Sequence, residues 1–365
     1  EQAYYTIPLL FKELEGERKF ENVPGLAYKK NGNIIVTAHP QEIDFDKFPN
    51  PARHLLPNEL YAEFPTQRKN FTVMVTSLGC PMQCGFCEAG GTLYCARSAE
   101  TVVNEMEECS GKFNIREIDF FDYEFTAVQQ RVLDICSKIK DRKLNIKWAC
   151  RSRVDRINEK LLHEMKSAGC SRIYFGIESG SQEILENVHK KITLNQVKDA
   201  VGMAKGFGIQ TLGFFLIGAP GETRGTVKET VRFARQLGLD YVQFSKCLAK
   251  PLTGLWKEMV KNSGEDYWKD WVLGRELDRS LPRPWTQLTN QEIDNLTKRA
   301  YISFYCRPLF LFRAVRKVRS FKELRRKFMA FLDMLFRQEN VSHPDSGFLA
   351  YNENLPVFVK NRIDN

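Results

Sequence analysis

Short apolar runs rich in β-branched and aromatic residues alternate with longer helical runs between Phe71 and Leu248. This alternation is typical of βα units whose strands form a parallel sheet. It predicts strands at 71–77, 115–121, 145–151, 171–177, 209–217 and 240–246. It predicts the intervening helices near 98–110, 126–140, 158–168, 182–205 and 223–237. The sequence therefore predicts an α/β fold, and its hydrophobic content of 43% is ordinary for a globular protein.

Three cysteines lie within eight residues directly after the first predicted strand. Cys80, Cys84 and Cys87 are spaced by four and then three residues, so a turn can direct all three thiolates at one soft metal centre. One interpretation is a [4Fe–4S] cluster whose fourth iron has no protein ligand and stays open to a small molecule. The others are a zinc site with Cys95 as fourth ligand, or simply a cysteine-rich turn. A disulfide framework is disfavoured because nothing resembles a secretory signal.

The loop Cys80-Pro81-Met82-Gln83-Cys84-Gly85-Phe86-Cys87, with an aromatic residue before its third cysteine, resembles the motif of the radical S-adenosylmethionine (SAM) superfamily. The resemblance implies a partial (β/α)₆ TIM-like barrel and a [4Fe–4S] cluster on Cys80, Cys84 and Cys87, with Phe86 as a cofactor contact. It also implies that the free iron chelates SAM and that an electron from the cluster cleaves SAM to a 5′-deoxyadenosyl radical. In barrels of this kind the chemistry lies at the carboxyl ends of the strands.

Polar residues follow the second and third predicted strands, at the ends where this resemblance places SAM. Asp122 matches an acidic motif that contacts the SAM amino group, although the Gly-Gly-Glu form of that motif is missing. Arg153 matches a position that pairs with the SAM carboxylate, and an arginine fork binds a carboxylate bidentately. A helix cap is the structural alternative for Asp122. For Arg153 the alternative is a surface salt bridge to Asp155 or Glu178.

Two further strand ends carry candidate ligand-binding residues. Glu178 ends the fourth apolar run, which places a carboxylate at the rim of the sheet, and Ser179 or Ser181 is a candidate to bind the ribose hydroxyls. After the fifth strand, glycine lets the backbone approach the adenine closely. The candidates there are Gly218, Pro220, Gly221 and Glu222. The alternative for this stretch is an ordinary strand-to-helix turn with Thr223 as N-cap.

The other segments divide the chain into further regions. Residues 1–65 are interpreted as a linker with a hairpin, the remnant of a preceding domain, and 66–250 as the barrel. The segment 251–290 caps the barrel mouth in the resembled family, helices follow at 291–337, and 338–365 is an irregular tail. The linker and the stretch Phe304-Tyr305-Cys306-Arg307-Pro308 resemble the cobalamin-associated branch, which includes anaerobic porphyrin cyclases and hopanoid-modifying enzymes.

No cobalamin-binding domain is visible in the sequence. The signature of that domain is Asp-x-His-x-x-Gly, and none of the five histidines lies in one. The chain begins at Glu1 rather than at a methionine and opens with the linker-like segment. We therefore expect the natural protein to carry a cobalamin domain before Glu1, and cobalamin to be a cofactor only together with that missing domain.

The basic excess of the chain lies near its carboxyl end. Between Lys298 and Arg337 there are twelve Lys and Arg against Glu323 and Asp333, whereas the whole chain carries a net charge of +9. Apolar residues recur there at helical spacing and make an apolar face opposite the charges. This pattern predicts a basic amphipathic element at 309–337 that binds an anionic membrane surface. The alternative is that the apolar face packs on the barrel. Nucleic acid is disfavoured because the aromatic residues are not interleaved with the basic ones.

Taken as a whole, these features predict a cytoplasmic enzyme, at most peripheral at the inner membrane face. We expect a radical SAM enzyme that transfers a methyl group or forms a ring oxidatively on a small hydrophobic or lipid-like substrate, with a reducing partner such as flavodoxin or ferredoxin. One alternative is a tRNA-modifying methylthiotransferase, disfavoured because its extra N-terminal cysteine trio and C-terminal RNA-binding module are absent. The other is a non-enzymatic metal-binding interaction module.

Overall fold

The computed structural model describes residues 3–38, 44–61, 65–68, 70–275, 282–308 and 310. In chain order its strands are β1 (Ala27–Lys30), β2 (Asn33–Val36), β3 (Phe71–Met74), β4 (Ser77–Leu78), β5 (Cys95–Ala96), β6 (Glu117–Phe120), β7 (Lys147–Ser152), β8 (Cys170–Glu178), β9 (Gln210–Ile217) and β10 (Tyr241–Lys246). Its helices are α1 (Ala3–Glu15), α2 (Ala99–Lys112), α3 (Gln129–Asp141), α4 (Glu159–Ser167), α5 (Gln182–Asn187), α6 (Leu194–Gly206), α7 (Arg224–Gln236), α8 (Gly254–Ser263), α9 (Tyr267–Val272) and α10 (Asn290–Tyr305).

A six-stranded parallel sheet forms the centre of the fold, in the order β3-β6-β7-β8-β9-β10. Every neighbouring pair in this sheet is parallel, and the strands follow one another in chain order. The sheet curls into a half barrel with helices packed on its outer face. The expected partial (β/α)₆ barrel is thereby confirmed. The short strands β1 and β2 form a separate antiparallel hairpin, as the Asn-Gly turn predicts.

All six predicted strands, and four of the five predicted helices between them, lie within a few residues of their expected positions. The prediction of one helix over 182–205 is wrong, because the structure has α5 and α6 with a turn between them. His189 and Lys191 in that turn have φ of 53° and 52°, a left-handed conformation that a right-handed helix excludes. Thr193 then starts α6 as the N-cap of a capping box with Gln196. The prediction follows the apolar periodicity, which continues through this point, and does not use the capping box.

The outer face of the sheet carries the main hydrophobic core. Side chains alternate along a strand, so every second residue points to this face. Ile118 and Phe120 of β6, Trp148 of β7, and Ile173 and Phe175 of β8 are all fully buried there against the helices. The intervening residues of the same strands therefore point to the inner, concave face. We call the space on this side of the sheet the lumen.

Charged residues in ion pairs occupy the floor of the lumen. Glu117 of β6 and Arg172 of β8 are each 1% exposed, and their side chains approach to 3.7 Å. Glu117 also accepts hydrogen bonds from the backbone N–H groups of Gln67 (2.7 Å) and Arg68 (2.8 Å), while Arg172 donates to the carbonyl of Pro65. The segment 65–68 therefore closes the amino-terminal end of the half barrel through these two charged side chains.

The free edge of β10 is covered by the last described helix, α10. The hydroxyl of Tyr305 accepts from the N–H of Val242 (2.9 Å) and donates to its carbonyl (2.8 Å). The hydroxyl of Tyr301 does the same for Phe244, at 3.0 and 3.1 Å. Two tyrosines thus form hydrogen bonds with backbone N–H and C=O groups at the edge of the sheet. Unpaired groups on an exposed edge strand would otherwise favour aggregation.

The membrane-binding segment predicted at 309–337 and the tail at 338–365 lie outside the described residues, apart from Phe310. The prediction of a basic amphipathic element there therefore stays a prediction. Within the described ranges, no helix combines the length and the apolar character needed to cross a membrane.

Glu117→Gln should destabilise the protein by about 3–5 kcal/mol, because it leaves the buried guanidinium of Arg172 without a compensating charge. Arg224→Gln is the control, since Arg224 is 71% exposed and its ion pair with Glu292 lies at the surface. That change should cost no more than about 1 kcal/mol. Urea unfolding of the three proteins measures both effects. Equal losses in the two variants would contradict the role given to the lumen pair.

Candidate active site at the carboxyl ends of the strands

The three cysteines lie on a loop that is closed by its own backbone. The strands β4 and β5 pair antiparallel at its base, where Leu78 lies opposite Cys95. Within the loop, Gly91 donates from its N–H to the carbonyl of Cys80 (3.0 Å), and Cys87 donates to that of Cys84 (3.1 Å). A Cβ at Gly90 would lie 2.9 Å from the carbonyl oxygen of Cys84, so only glycine fits this turn.

Two neighbouring segments hold the middle of the loop. The N–H of Gly85 donates to the carbonyl of Val188 (3.0 Å), and its carbonyl accepts from the N–H of Leu255 at the start of α8 (2.9 Å). Phe86, half-buried, packs in a small apolar cluster whose buried members are Ile184, Val188, Ala219, Cys247, Ala249, Leu255 and Met259. The turn after α5, the capping helix α8 and the end of β9 are therefore all joined to the cysteine loop.

The thiols of the loop are close enough to influence one another. Burial raises the pKa of Cys80, and the neighbouring charges of Glu124 and Cys84 raise it further. Burial raises the pKa of Cys87 to about 11, with further contributions from Cys84 and Cys80. Thiols in this state hold their protons at neutral pH until a metal replaces them. Three thiols on one loop with a hydrogen-bonded backbone fit the thiolate ligands of an iron–sulfur cluster.

The zinc alternative receives no direct support from the geometry. Cys95 lies on β5, half-buried at the base of the loop. Across the described ranges, no three or more His, Cys, Asp or Glu side chains converge as the ligands of a single metal ion would. A multi-iron cluster holds its thiolates farther apart than one ion does, so the two interpretations differ in the geometry they need.

Arg153 lies directly beside the cysteine loop. Its Nη1 is 3.6 Å from the Sγ of Cys84. Its Nε and Nη2 donate to the carboxylate of Asp155 at 2.8 and 3.0 Å, and Nη2 also donates to the carbonyl of Lys190 at 2.9 Å. The salt bridge to Asp155 that was the structural alternative is thus present, but it is largely buried and fixes the guanidinium against the thiol of Cys84.

Glu178 pairs with a lysine that the sequence analysis missed. The Nζ of Lys190 lies 2.8 Å from the Oε1 of Glu178, and both side chains are buried. Burial by itself would lower the pKa of Lys190, but Glu178, with a further contribution from Cys84, outweighs it and raises that pKa. Glu178 has φ of 70° at a bulge in β8, an uncommon conformation for a residue with a side chain. Such local strain is typical of functional sites.

Glu124 is the second buried acid that the sequence analysis did not single out. Its Oε2 accepts a hydrogen bond from the backbone N–H of Arg153 (2.7 Å), and its Oε1 accepts from the N–H (3.2 Å) and the hydroxyl of Thr126. Burial raises its pKa, and the hydrogen bonds from Thr126 and from the backbone of Arg153 partly offset this, with a smaller contribution from Lys190. Glu124 therefore belongs to the same charged group as Arg153, Lys190 and Glu178 around the cysteine loop. Its position two residues after Asp122 was the one available signal.

Asp122 and Ser179 make structural contacts. The two carboxylate oxygens of Asp122 accept from the N–H and the hydroxyl of Thr76, each at 2.6 Å, which holds the end of β3 against β6. It is not a helix cap. The hydroxyl of Ser179 lies 3.0 Å from that of Thr230 on α7, and it accepts from the N–H of Ser181 at 3.2 Å. Their predicted contacts with SAM remain predictions.

The turn after β9 is built around a buried carboxyl group. The Oε2 of Glu222 accepts from the N–H groups of Gly218 and Ala219, the latter at 3.2 Å. Thr223 caps α7, which is the feature that the structural alternative for this stretch expected. Gly218 has φ of 83°, which favours glycine. Burial raises the pKa of Glu222 to about 7, although both backbone donors lower it.

The capping segment holds this turn from above. The indole N–H of Trp285 donates to the carbonyl of Gly218 (2.9 Å), and the N–H of Gly221 donates to the carbonyl of Trp285 (2.9 Å). The carbonyl of Pro220 accepts from the side chain of Asn187 (3.1 Å). All four residues predicted for this turn are thus fixed beside the apolar cluster that contains Phe86, on the side of the mouth opposite β3.

A parallel half barrel with a three-thiol loop after its first strand defines a class of cofactor-dependent α/β-barrel enzymes. The model of the Radical SAM superfamily matches residues 74–234. The chain is 38% identical over 315 residues to an uncharacterized methyltransferase of Pyrococcus horikoshii, which covers 84% of this chain and 67% of that protein. The chain therefore belongs to the radical SAM superfamily, which confirms the resemblance of the cysteine loop.

Two further comparisons are with a cyclase and with the solved structure of a cobalamin-dependent enzyme. The anaerobic magnesium-protoporphyrin IX monomethyl ester cyclase of Rubrivivax gelatinosus is 29% identical over 243 residues, with 65% of this chain and 43% of that protein covered. The structure of the cobalamin-dependent SAM radical enzyme OxsB, with aqua-cobalamin and SAM bound, matches with a TM-score of 0.65 at 18% identity. That match covers 98% of this chain and 59% of OxsB, and it shows the shared fold. The chain thus spans only part of the length of these relatives.

The wild-type protein should lose stability relative to the Glu222→Gln variant as the pH rises. The native pKa of Glu222 is raised from 4.5 to about 7, so the protonated carboxyl stabilises the fold below pH 4.5 and this contribution is lost up to about pH 7. At about 1.4 kcal/mol per pKa unit the wild type should lose about 3 kcal/mol relative to the variant. Urea unfolding of both proteins from pH 4 to 8 measures the difference, and parallel pH profiles would contradict it.

Proposed function

We propose that this chain binds a [4Fe–4S] cluster through Cys80, Cys84 and Cys87 and cleaves SAM reductively at its open iron. The observation that carries the proposal is the cysteine loop itself, which places three thiols after the first strand of the barrel and Arg153 against Cys84. The bound cluster and SAM would supply the 5′-deoxyadenosyl radical. The side chains around the loop would bind and orient SAM, and the barrel would exclude water.

Four buried charged residues are the candidates to hold the polar groups of SAM. The cations available for a carboxylate are Arg153, which lies beside the thiol of Cys84, and Lys190, which pairs with Glu178. Glu178 and Glu124 are the acids available for an ammonium or for ribose hydroxyls. Lys190 is already paired with Glu178 and Arg153 with Asp155, so a ligand would enter a site whose cations are held in place. Such preorganisation lowers the cost of binding.

The glycine turn after β9 would receive the adenine. Gly218 and Gly221 have positive φ, and the main chain there is fixed by Trp285 and Asn187. Phe86 packs against the same apolar cluster and would form an apolar wall beside the base. These roles for Gly218, Pro220, Gly221 and Glu222 are part of the proposal.

For the overall reaction we propose methyl transfer or oxidative ring formation on a hydrophobic small molecule. The relatives carry the names of a methyltransferase and of a ring-forming cyclase, which supports this range of chemistry. Cobalamin, which OxsB binds, would need residues beyond this sequence. The proposed partners are an electron donor such as flavodoxin or ferredoxin and, for the segment 309–337, an anionic membrane surface. A methylthiotransferase activity on tRNA is the alternative enzyme function, with a metal-binding interaction module as the non-enzymatic one.

Replacing Cys80, Cys84 or Cys87 with Ala should each remove most of the cluster absorbance and all formation of 5′-deoxyadenosine from SAM. Cys95→Ala is the control and should leave both intact. Anaerobic reconstitution with iron and sulfide, followed by absorbance, iron analysis and the product assay, measures these effects. Loss of the metal on changing Cys95 alone would favour the four-cysteine zinc alternative. Cluster binding without SAM cleavage would favour the interaction module.

Arg153→Ala, Glu178→Ala and Lys190→Ala should weaken SAM binding by roughly 1.5–3 kcal/mol, the range for hydrogen bonds to charged groups. The control is Arg53→Ala, because Arg53 is a buried arginine paired with Glu105 away from the cysteine loop. Equilibrium dialysis of SAM with the reconstituted proteins measures the affinities, and iron analysis shows that the cluster is retained. Unchanged affinity in all three site variants would leave these residues with a structural role only.

A further inference from the structure

Four planar side chains lie beside one another across the lumen, and we call them the planar ladder. They are Phe121, directly after β6, Arg151 of β7, Tyr174 of β8 and Phe214 of β9. The guanidinium carbon of Arg151 is 3.8 Å from the ring centre of Phe121 and 4.9 Å from that of Tyr174. The rings of Tyr174 and Phe214 are 5.8 Å apart at an angle of 14°. The four groups therefore form one continuous stack.

The strand register places these side chains on the lumen face. Arg151 lies opposite Tyr174 in the parallel pairing of β7 with β8. Phe121 follows Asp119 by two residues and so points to the same face of the sheet. Phe214 lies two residues after Leu212, which is the partner of Tyr174 on β9. The ladder thus crosses four neighbouring strands, in the layer between the charged floor and the cysteine loop.

The ladder carries no net charge. Both terminal nitrogens of Arg151 donate to the carboxylate of Asp119, at 2.9 and 3.0 Å, and Nη1 also donates to the carbonyl of Phe120 at 3.0 Å. A carboxylate or phosphate on a ligand would have to compete with this bidentate pair. The surface therefore offers ring faces and a guanidinium plane rather than a charge, and recognition there would depend on stacking.

The two ends of the ladder are partly exposed, whereas its centre is buried. Tyr174 is 4% exposed, but Phe121 is 40% exposed and Phe214 is half-buried. Val75, at the carboxyl end of β3, is also partly exposed and provides an aliphatic wall near the Phe121 end. An unusually exposed aromatic face in the lumen of a barrel is where a ligand ring would add to the stack.

We propose that the planar ladder is the substrate subsite of this protein and that it takes an uncharged planar conjugated ring system. This inference rests on the proposed function, since a ring stacked there lies in the lumen below the cysteine loop. A flat ring adds one more member to a stack whose orientation is already fixed by Asp119. A flexible acyl chain gains no stacking and loses conformational freedom on entering, so the ladder favours rings over chains.

The test compares two probes of the same carbon skeleton, 2-naphthol and decahydro-2-naphthol. The first is planar and the second saturated, and both are uncharged at pH 7.5. The reconstituted full chain should bind 2-naphthol at least tenfold more tightly by calorimetry. Phe121→Leu and Phe214→Leu, which keep apolar bulk but remove the ring, should each reduce that preference by roughly two- to tenfold, the usual effect of one aromatic pair.

Two further variants keep this test decisive. Phe11→Leu changes an exposed aromatic residue on α1, away from the lumen, and should leave the preference unchanged. Phe121→Trp keeps a planar face and should retain it even if Phe121→Leu unfolds the protein. Equal affinity for the two probes, or a preference that survives both leucine changes, would overturn the inference.

Assays of SAM cleavage on the same samples separate this inference from the proposed function. Selective binding of 2-naphthol at the ladder without formation of 5′-deoxyadenosine would support the subsite and overturn the proposed reaction. Formation of 5′-deoxyadenosine without selective binding would support the reaction and overturn the subsite.

Discussion

The burial of charge in the lumen is the constraint on which the rest of the structure depends. The inner face of the six-stranded half barrel carries the buried pairs Glu117–Arg172 and Asp119–Arg151. A buried charge is tolerated only when it is paired and hydrogen-bonded. Each pair joins side chains of different strands, so the pairing fixes how β6, β7 and β8 lie against one another and where the strand ends meet.

The same rule operates at the mouth of the barrel, where the charges surround thiols. Lys190 neutralises Glu178, and Arg153 is held between Asp155 and the backbone of Lys190. Thiolates on iron would bring further negative charge to this place, and the guanidinium of Arg153 already lies beside Cys84. The lumen pairs thus position the strands, and the mouth pairs position positive charge where a cluster and an anionic ligand group would need it.

The strands, their order and the position of the cysteine loop were predictable because they depend on local signals. Apolar alternation and the spacing of Cys80, Cys84 and Cys87 are properties of short stretches of sequence. The individual site contacts were not predictable in the same way. The carboxylate of Asp122 accepts a hydrogen bond from Thr76, across the β3–β6 pairing, and that of Glu124 accepts one from the backbone N–H of Arg153. Such contacts join residues that become neighbours only after the sheet has formed.

Lys190 shows most clearly why the site exceeded what the sequence pattern could predict. An uninterrupted helix over 182–205 would have left this residue as one more lysine on a helix. In the turn between α5 and α6, the residues on either side of Lys190 have a left-handed backbone conformation. They are His189 and Lys191, and both are exposed. Lys190 between them is turned inward to Glu178. The carbonyl of Val188, at the start of the same turn, holds Gly85 of the cysteine loop. One break in a helix therefore both anchors the cysteine loop and turns a buried cation inward to Glu178.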